Sequence, residues 1–256
     1  MNDLELLKAI NELCWEAGAL EKDYFEKGTD TMTKQDGSPV TVADQEAEEM
    51  ILAGLRALTP DIPIVAEESV AAGTIPDISG GRFWLVDPLD GTKEFVSGRG
   101  EFTVNIALLD NFRPVLGSIF APMLDETYYG AVSDKAYQMN SDRVEFNISV
   151  RPEPEEGLTV VASRSHGDPV RIKEYLKEKI IVEQITRGSS IKFCAVASGQ
   201  ADIYTRFGPT SEWDIAAGEA VLVAAGGKVI QVNGDPIIYA KTDVKFLNPE
   251  FVALPA

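Results

Sequence analysis

Trp84-Leu-Val-Asp87-Pro-Leu-Asp90-Gly-Thr92-Lys93 decides how this chain is read, because an apolar strand-like run, Phe83 to Val86, ends abruptly in two carboxylates. Oxygen donors at that spacing suit a hard divalent cation. Pro88 stiffens the segment, Gly91 relieves crowding, Thr92 adds a hydroxyl and the Leu89 carbonyl offers a further oxygen. The plainer alternative is an Asx turn with a helix cap, which accounts for one aspartate and leaves the other without a role. With Glu67-Glu68 upstream and Trp213-Asp214 far downstream, the pattern suggests a carboxylate cage in which metal ions activate water against a phosphate.

Outward from that segment, the element order is legible. Leu4, Leu7, Ile10, Leu13, Cys14, Ala17 and Leu20 recur at near-helical spacing and predict a first helix from residue 3 to about 26. A polar, turn-rich stretch runs from Gly28 to Pro39. Thr41 or Asp44 then caps a helix to about Leu58, before Pro60, and Ile62 to Ala66 reads as a strand delivering Glu67 and Glu68. After the acidic segment, residues 102–109, 115–120 and 126–132 predict antiparallel strands, too closely spaced for crossover helices. Arg151-Pro-Glu-Pro-Glu-Glu-Gly157 is the best linker, dividing residues 1–153, with the acids and a mostly antiparallel sheet, from an α/β part at 154–256.

In the later part, strands are expected at 158–162, 181–185 and 201–204, and helices at 169–179 and from Ser189 or Ser190 to about Gly199. Residues 214–225 form an almost wholly apolar helix ended by Gly226-Gly227, which belongs inside a layered fold. Lys228 to Val232 and Ile237 to Tyr239, around Asn233-Gly234, suggest a terminal hairpin.

Composition bounds the function. The 256 residues carry 23 Lys and Arg against 41 Asp and Glu, a net charge of −18 that disfavours a DNA or RNA polymer as partner. A small phosphorylated substrate would need cations and local positive groups to reverse that field. No stretch approaches membrane-spanning length and the start lacks a basic leader with an apolar run, so the expectation is a cytoplasmic protein, monomer or homodimer, with peripheral membrane association left open. Cys14 and Cys194 form no CxxC pair, which argues against a disulfide scaffold or a sulfur-rich zinc site.

Other polar positions carry candidate chemistry. Glu67 and Glu68 are equally eligible as ligand, and Asp214 is eligible as helix cap, as metal ligand or as both. Asp44 is either a cap or a group that orients and deprotonates water. Gly188-Ser189-Ser190-Ile-Lys192 offers amides, hydroxyls and an ammonium to an anion, although Lys192 could also face solvent. Ser163-Arg164-Ser165-His166 follows a strand, and His166, the only histidine, lacks a convincing Ser-His-Asp setting and is read as a substrate contact or as a support of its loop. Lys93 is read as a phosphate contact or a surface counterion.

Glu67-Glu-Ser69, the block from Trp84 to Phe95, Gly188 to Cys194, Tyr204 to Pro209 and Trp213 to Gly218 together resemble the lithium-sensitive, magnesium-dependent phosphatases of the inositol monophosphatase superfamily, over nearly the whole chain. The Asp87-to-Glu94 wording resembles the branch acting on 3'(2'),5'-bisphosphate nucleotides in sulfate assimilation. The resemblance implies a mixed α+β (α/β) fold, an α-β-α-β-α sandwich with its cleft where the two parts meet. It also implies two or three Mg2+ ions: one held by Glu67, Asp87 and the Leu89 carbonyl, one by Asp87, Asp90 and Asp214, and a weaker third near Glu67. Asp44 and Thr92 would assist the attacking water, with Asp90 counted among the catalytic groups. Lys93, Ser163, Arg164, His166, Gly188, Ser189, Ser190, Lys192 and Asp214 would contact a small nucleotide substrate. The implied reaction removes the 3'-phosphate of adenosine 3',5'-bisphosphate, with 3'-phosphoadenosine 5'-phosphosulfate as a second substrate. The competing readings are an inositol or broad sugar phosphatase, and a noncatalytic magnesium- or nucleotide-binding module.

Overall fold

Asn2 starts the first helix, α1 (Asp3–Lys27): its side chain accepts the Glu5 amide while Glu5 reaches back to the Asn2 amide, satisfying two otherwise orphaned donors. The computed structural model describes residues 2–34, 37, 39–163 and 168–256. A short antiparallel pair, β1 (Thr31–Thr33) with β2 (Pro39–Thr41), leads into α2 (Val42–Leu58), which Thr41 caps with Asp44 at the third helical position. Next come β3 (Ile64–Ala66), a one-turn helix α3 (Glu67–Ala71), β4 (Phe83–Asp90) and α4 (Thr92–Val96). The strands β5 (Thr103–Asp110), β6 (Arg113–Ala121), β7 (Glu126–Ala131), β8 (Ala136–Met139) and β9 (Glu145–Ile148) complete a seven-stranded sheet ordered β3 to β9. Only the β3–β4 pair in it is parallel. Sequence reasoning missed β8 and β9, whose residues are mostly exposed or half-buried and so lack a strong apolar signal.

The second sheet is built from β10 (Leu158–Ser163), then α5 (Pro169–Tyr175), β11 (Ile181–Arg187), α6 (Ile191–Ala197), β12 (Ile203–Arg206), α7 (Glu212–Ala224), β13 (Gly227–Gln231) and β14 (Phe251–Pro255). Its five strands run β11-β10-β12-β14-β13, with β10 parallel to both neighbours and β14 antiparallel to both of its own. The acidic segment around Pro154 lies between the last strand of one sheet and the first of the other. The expected terminal hairpin is corrected: β13 pairs with β14 at the chain end, and only one bridge, Ile230 to Pro236, forms across the Asn233-Gly234 turn. Pro236 has no amide to donate, so the ladder cannot extend through it.

Side-chain alternation turns the strands into layers. Along β4, Trp84 and Val86 pack with Leu7, Ile10, Ile51 and Leu55 of α1 and α2, whereas Phe83 and Leu85 pack with Ile215, Val221 and the rest of a cluster on the other face. Period-two geometry requires that split, and burial of both faces explains why the strand is continuously apolar. That second cluster takes residues from both sheets, with α6 and α7 between them. On the far face of the second sheet, Leu158, Val160 and Ala162 meet Ile172 and Leu176 of α5 and the residue after it. The result is an α-β-α-β-α stack. Helix α7 approaches β6 so closely that a Cβ on Gly117 would lie 2.7 Å from the Ala217 carbonyl oxygen. Among the described residues, no helix is long and apolar enough to cross a membrane.

Candidate active site

The register of β3 on β4 pairs Ala66 with Val86, so the residues that follow, Glu67 at the start of α3 and Asp87 within β4, come side by side. From the opposite layer, Asp214 enters at the third position of α7, where its Oδ2 accepts the Ser211 amide at 2.9 Å. Carboxylate oxygens of Glu67, Asp87 and Asp214 all lie within 4.8 Å of one another, the single such group among the described residues. Two expectations change here. Asp87 and Asp90 do not sit in a turn after the strand but inside β4, with a bulge between them that sets Asp87 opposite Asn105 and Asp90 opposite Thr103. Asp214 is not the N-cap, which is Ser211.

Bulging accommodates Pro88, and the strand ends at Gly91, whose φ of +98° favours a residue without a side chain. Asp87 is buried and its Oδ1 accepts the Leu89 amide at 3.1 Å. Asp90 is outside the three-acid group, and its Oδ2 accepts the Ser189 hydroxyl at 2.7 Å. Glu68 is outside the three-acid group and pairs with Lys34 at 2.6 Å. Lys34 also pairs with Glu67 at 2.5 Å. Nothing in the polar stretch from Gly28 to Pro39 signals that role, since it depends on where the β1–β2 pair folds.

Charge repulsion defines the site. Burial pushes the carboxyls of Glu67, Asp87, Asp90 and Asp214 above the ordinary range, and the acids raise one another further at Asp87 and Asp214. Lys34 opposes this at Glu67, and Lys192 opposes it at Asp90. Burial likewise lifts Glu68 to about 7. A cation among these oxygens would offset both the burial penalty and the mutual repulsion. An all-oxygen donor set carrying that much latent charge fits a hard divalent ion.

Asp44, buried at the start of α2, divides its oxygens between two tasks. Oδ2 accepts the Thr41 amide at 2.7 Å and hydroxyl at 2.6 Å, which is the capping role. Oδ1 faces the Thr92 hydroxyl at 3.0 Å, and that hydroxyl also lies 3.2 Å from the Leu89 carbonyl. Burial raises the Asp44 carboxyl, against the Thr41 and Thr92 hydrogen bonds.

Cations share the cleft with the acids. Lys192 is buried rather than solvent-facing; its ammonium donates to the Ser189 carbonyl and lies 5.4 Å from the centre of the Tyr204 ring. Burial lowers it to about 8, with Asp90 pulling the other way. Arg206, which residue-level reasoning missed, donates to the Gly208 and Pro209 carbonyls at 3.2 and 2.6 Å and so shapes the loop before α7. Its signal was a lone cation ending a buried strand. Acids, Lys192, Arg206, Lys93 and Ser163 line one cleft of about 340 Å3. Gly188 is held tightly: a Cβ there would meet the Glu101 carbonyl oxygen at 2.7 Å. The Ser189 and Ser190 hydroxyls, expected to face a phosphate, are engaged within the protein, at Asp90 and Asn105. Arg164 and His166 lie outside the described residues.

Comparison with known proteins follows the same lines. The inositol monophosphatase family matches residues 2–252. The 3'(2'),5'-bisphosphate nucleotidase CysQ of Salmonella typhimurium is 46% identical over 248 residues, covering 96% of this chain and 98% of the relative, and its counterpart from Escherichia coli K12 is 44% identical at the same coverage. Among solved structures, CysQ from Bacteroides thetaiotaomicron superposes with a TM-score of 0.83 at 36% identity, covering 98% of this chain and 97% of that one. An inositol monophosphatase from Anabaena superposes at 0.78 with 26% identity, covering 99% and 92%.

Proposed function

This chain belongs to the inositol monophosphatase family, and from that premise we propose that it is a metal-dependent 3'(2'),5'-bisphosphate nucleotidase, releasing the 3'-phosphate of adenosine 3',5'-bisphosphate to leave AMP. The observation that carries the chemistry is the convergence of Glu67, Asp87 and Asp214 within 4.8 Å, in a cleft that Lys192 and Arg206 also line. The substrate follows from relatives named for it that align along nearly their whole length.

Glu67, Asp87 and the Leu89 carbonyl would hold one Mg2+, and Asp87, Asp90 and Asp214 a second, with Glu67 the side a weaker third would approach. Bound there, divalent ions lower the pKa of water and offset charge developing on the transferring phosphoryl group. The protein's own groups do the rest. Asp44, anchored by Thr41, keeps an oxygen 3.0 Å from Thr92, so the pair can take the proton that the attacking water loses. Water's oxygen joins phosphorus as the ester bond breaks, and the departing 3'-oxygen regains a proton. Lys192 and the backbone of the Gly188–Ser190 loop, with Lys93 and Ser163 at the rim, would hold the nucleotide's second phosphate and orient the ester. A small phosphorylated nucleotide is thus the partner.

Phosphate release from adenosine 3',5'-bisphosphate, 3'-phosphoadenosine 5'-phosphosulfate, myo-inositol 1-phosphate and fructose 1,6-bisphosphate, each with Mg2+ and with EDTA, tests this reading. The expected result is Mg2+-dependent turnover strongest on the adenosine bisphosphate. Preference for inositol 1-phosphate would overturn the substrate, and nucleotide binding without any release would overturn the enzyme.

A further inference from the structure

We infer that Ser189 and Thr103 are positioning residues that fix the Asp90 carboxylate, tying the loop before α6 to the acidic centre; this rests on the metal-dependent reading above. A continuous file of hydroxyls leads to Asp90. Ser189 Oγ donates to Asp90 Oδ2 at 2.7 Å, Thr103 Oγ1 is 2.5 Å from Ser189 Oγ, and Ser190 Oγ is 2.8 Å from Thr103 Oγ1. Asn105 closes the file, its amide oxygen 2.7 Å from Ser190 Oγ. Thr103, Asn105 and Ser190 are all fully enclosed.

Donor accounting gives the file a direction. As the Asn105 amide is oriented, its oxygen accepts from Thr103 Oγ1 at 3.1 Å and from Ser190 Oγ at 2.7 Å; each hydroxyl has one proton and Ser189 gives its own to Asp90, so a file bonded at every step requires Thr103 to donate to Ser189 and Ser190 to Thr103 instead. Ser190 then needs a donor, whereas the Asn105 Nδ2 is buried without a partner. Turning the Asn105 amide over, which is isosteric, brings Nδ2 to Ser190 and completes a one-way relay: Asn105 to Ser190 to Thr103 to Ser189 to Asp90. Donors aligned in series reinforce one another and favour an acceptor-only, ionised carboxylate at the end.

Two features argue that the arrangement is held for the sake of Asp90 rather than for filling space. Ser189 has a φ of +52°, in the left-handed region that a non-glycine residue seldom adopts, and such conformations gather at functional sites. The β4 bulge also sets Asp90 directly opposite Thr103, whereas an unbroken antiparallel register would pair Thr103 with residue 89. Both distortions bring the carboxylate and its donor together.

The test uses Ser189→Ala, Ser189→Gly, Thr103→Val and Thr103→Ser in the full chain, with Mg2+ affinity by calorimetry without substrate, melting temperature in EDTA, and kcat and KM for phosphate release. Removing a hydrogen bond that orients a metal ligand costs about 10- to 100-fold in metal affinity. Ser189→Ala and Ser189→Gly should each weaken Mg2+ binding about tenfold or more, with kcat falling further than KM rises. Thr103→Val should do the same to a smaller extent, and Thr103→Ser should restore native affinity. The glycine variant, relieved of its strained φ, should melt in EDTA no lower than the parent. Native Mg2+ affinity in both Ser189 variants would overturn the inference, whatever their stability. Should Thr103→Val fail to fold, the Ser189 pair still decides. If the parent releases no phosphate from the nucleotide yet the Ser189 variants bind Mg2+ weakly, the nucleotidase reading fails and the positioning role stands.

Discussion

Asp214→Asn should make the metal-free protein more stable and the enzyme inactive. Asparagine keeps the oxygen that accepts the Ser211 amide at 2.9 Å, so the cap of α7 survives and only the charge is lost. Two unit charges within 4.8 Å of each other repel by about 3 kcal/mol or more at an effective dielectric of about 20. Part of that is already relieved, because burial and mutual repulsion shift these carboxyls toward the protonated form, so the expected net gain is about 1 to 2 kcal/mol at pH 8. At about 2 to 4 °C per kcal/mol for a chain of this size, the variant should melt about 2 to 8 °C above the parent in EDTA. The pH dependence has a definite sign. Groups whose folded pKa is raised add stability that is complete below the unfolded value, near 4, and lost as pH rises through the folded value. The gap between variant and parent should therefore close on acidification toward pH 4. With Mg2+ the order should reverse, because the parent gains from binding and the variant loses a ligand. Melting followed by circular dichroism across pH, with EDTA or Mg2+, measures all of this. A variant no more stable than its parent in EDTA at pH 8 would refute the claim that these acids repel one another at a shared cation site.

Three further substitutions probe separate parts of the site. Asp44→Asn should leave Mg2+ affinity intact but lower kcat about 10²- to 10⁴-fold, the usual worth of a general base, as read by steady-state phosphate release. Lys34→Gln should lower stability in EDTA by about 1 to 3 kcal/mol, because Glu67 and Glu68 lose their cationic partner; chemical denaturation should show Mg2+ recovering most of the loss. Gly117→Ala forces a methyl to 2.7 Å from the Ala217 carbonyl oxygen, and overpacking of this kind costs about 1 to 3 kcal/mol; by shifting α7 and with it Asp214, it should also weaken Mg2+ binding measured by calorimetry.

Much of this was legible from side-chain pattern. Phe83 to Val86 reads as a strand buried on both faces because it is one, and residues 214–225 read as an internal helix because α7 lies between two sheets. Local chemistry sufficed for Thr41 and for the start of α6 as well. Polarity hid β8 and β9, whose place at the sheet edge is set by pairing rather than by burial. The last strand was missed for a related reason, since β14 joins β13 across a loop in which Asn233-Gly234 gives a stronger local turn signal than any feature of the true connection.

By itself, the sequence determined the long, strongly patterned elements, their inside and outside faces, and the set of acids from which a cation site could be assembled, because periodicity, capping and carboxylate chemistry are local properties. Residue pattern left Glu67 and Glu68 even and only the family resemblance favoured Glu67, whereas the tertiary structure brought Glu67 beside Asp87 and Asp214, paired Lys34 with both glutamates and set Ser189 on Asp90. Those outcomes depend on strand register, a bulge and the approach of a helix from the opposite layer. Each is settled by packing between segments far apart in the chain, which no window of neighbouring residues encodes.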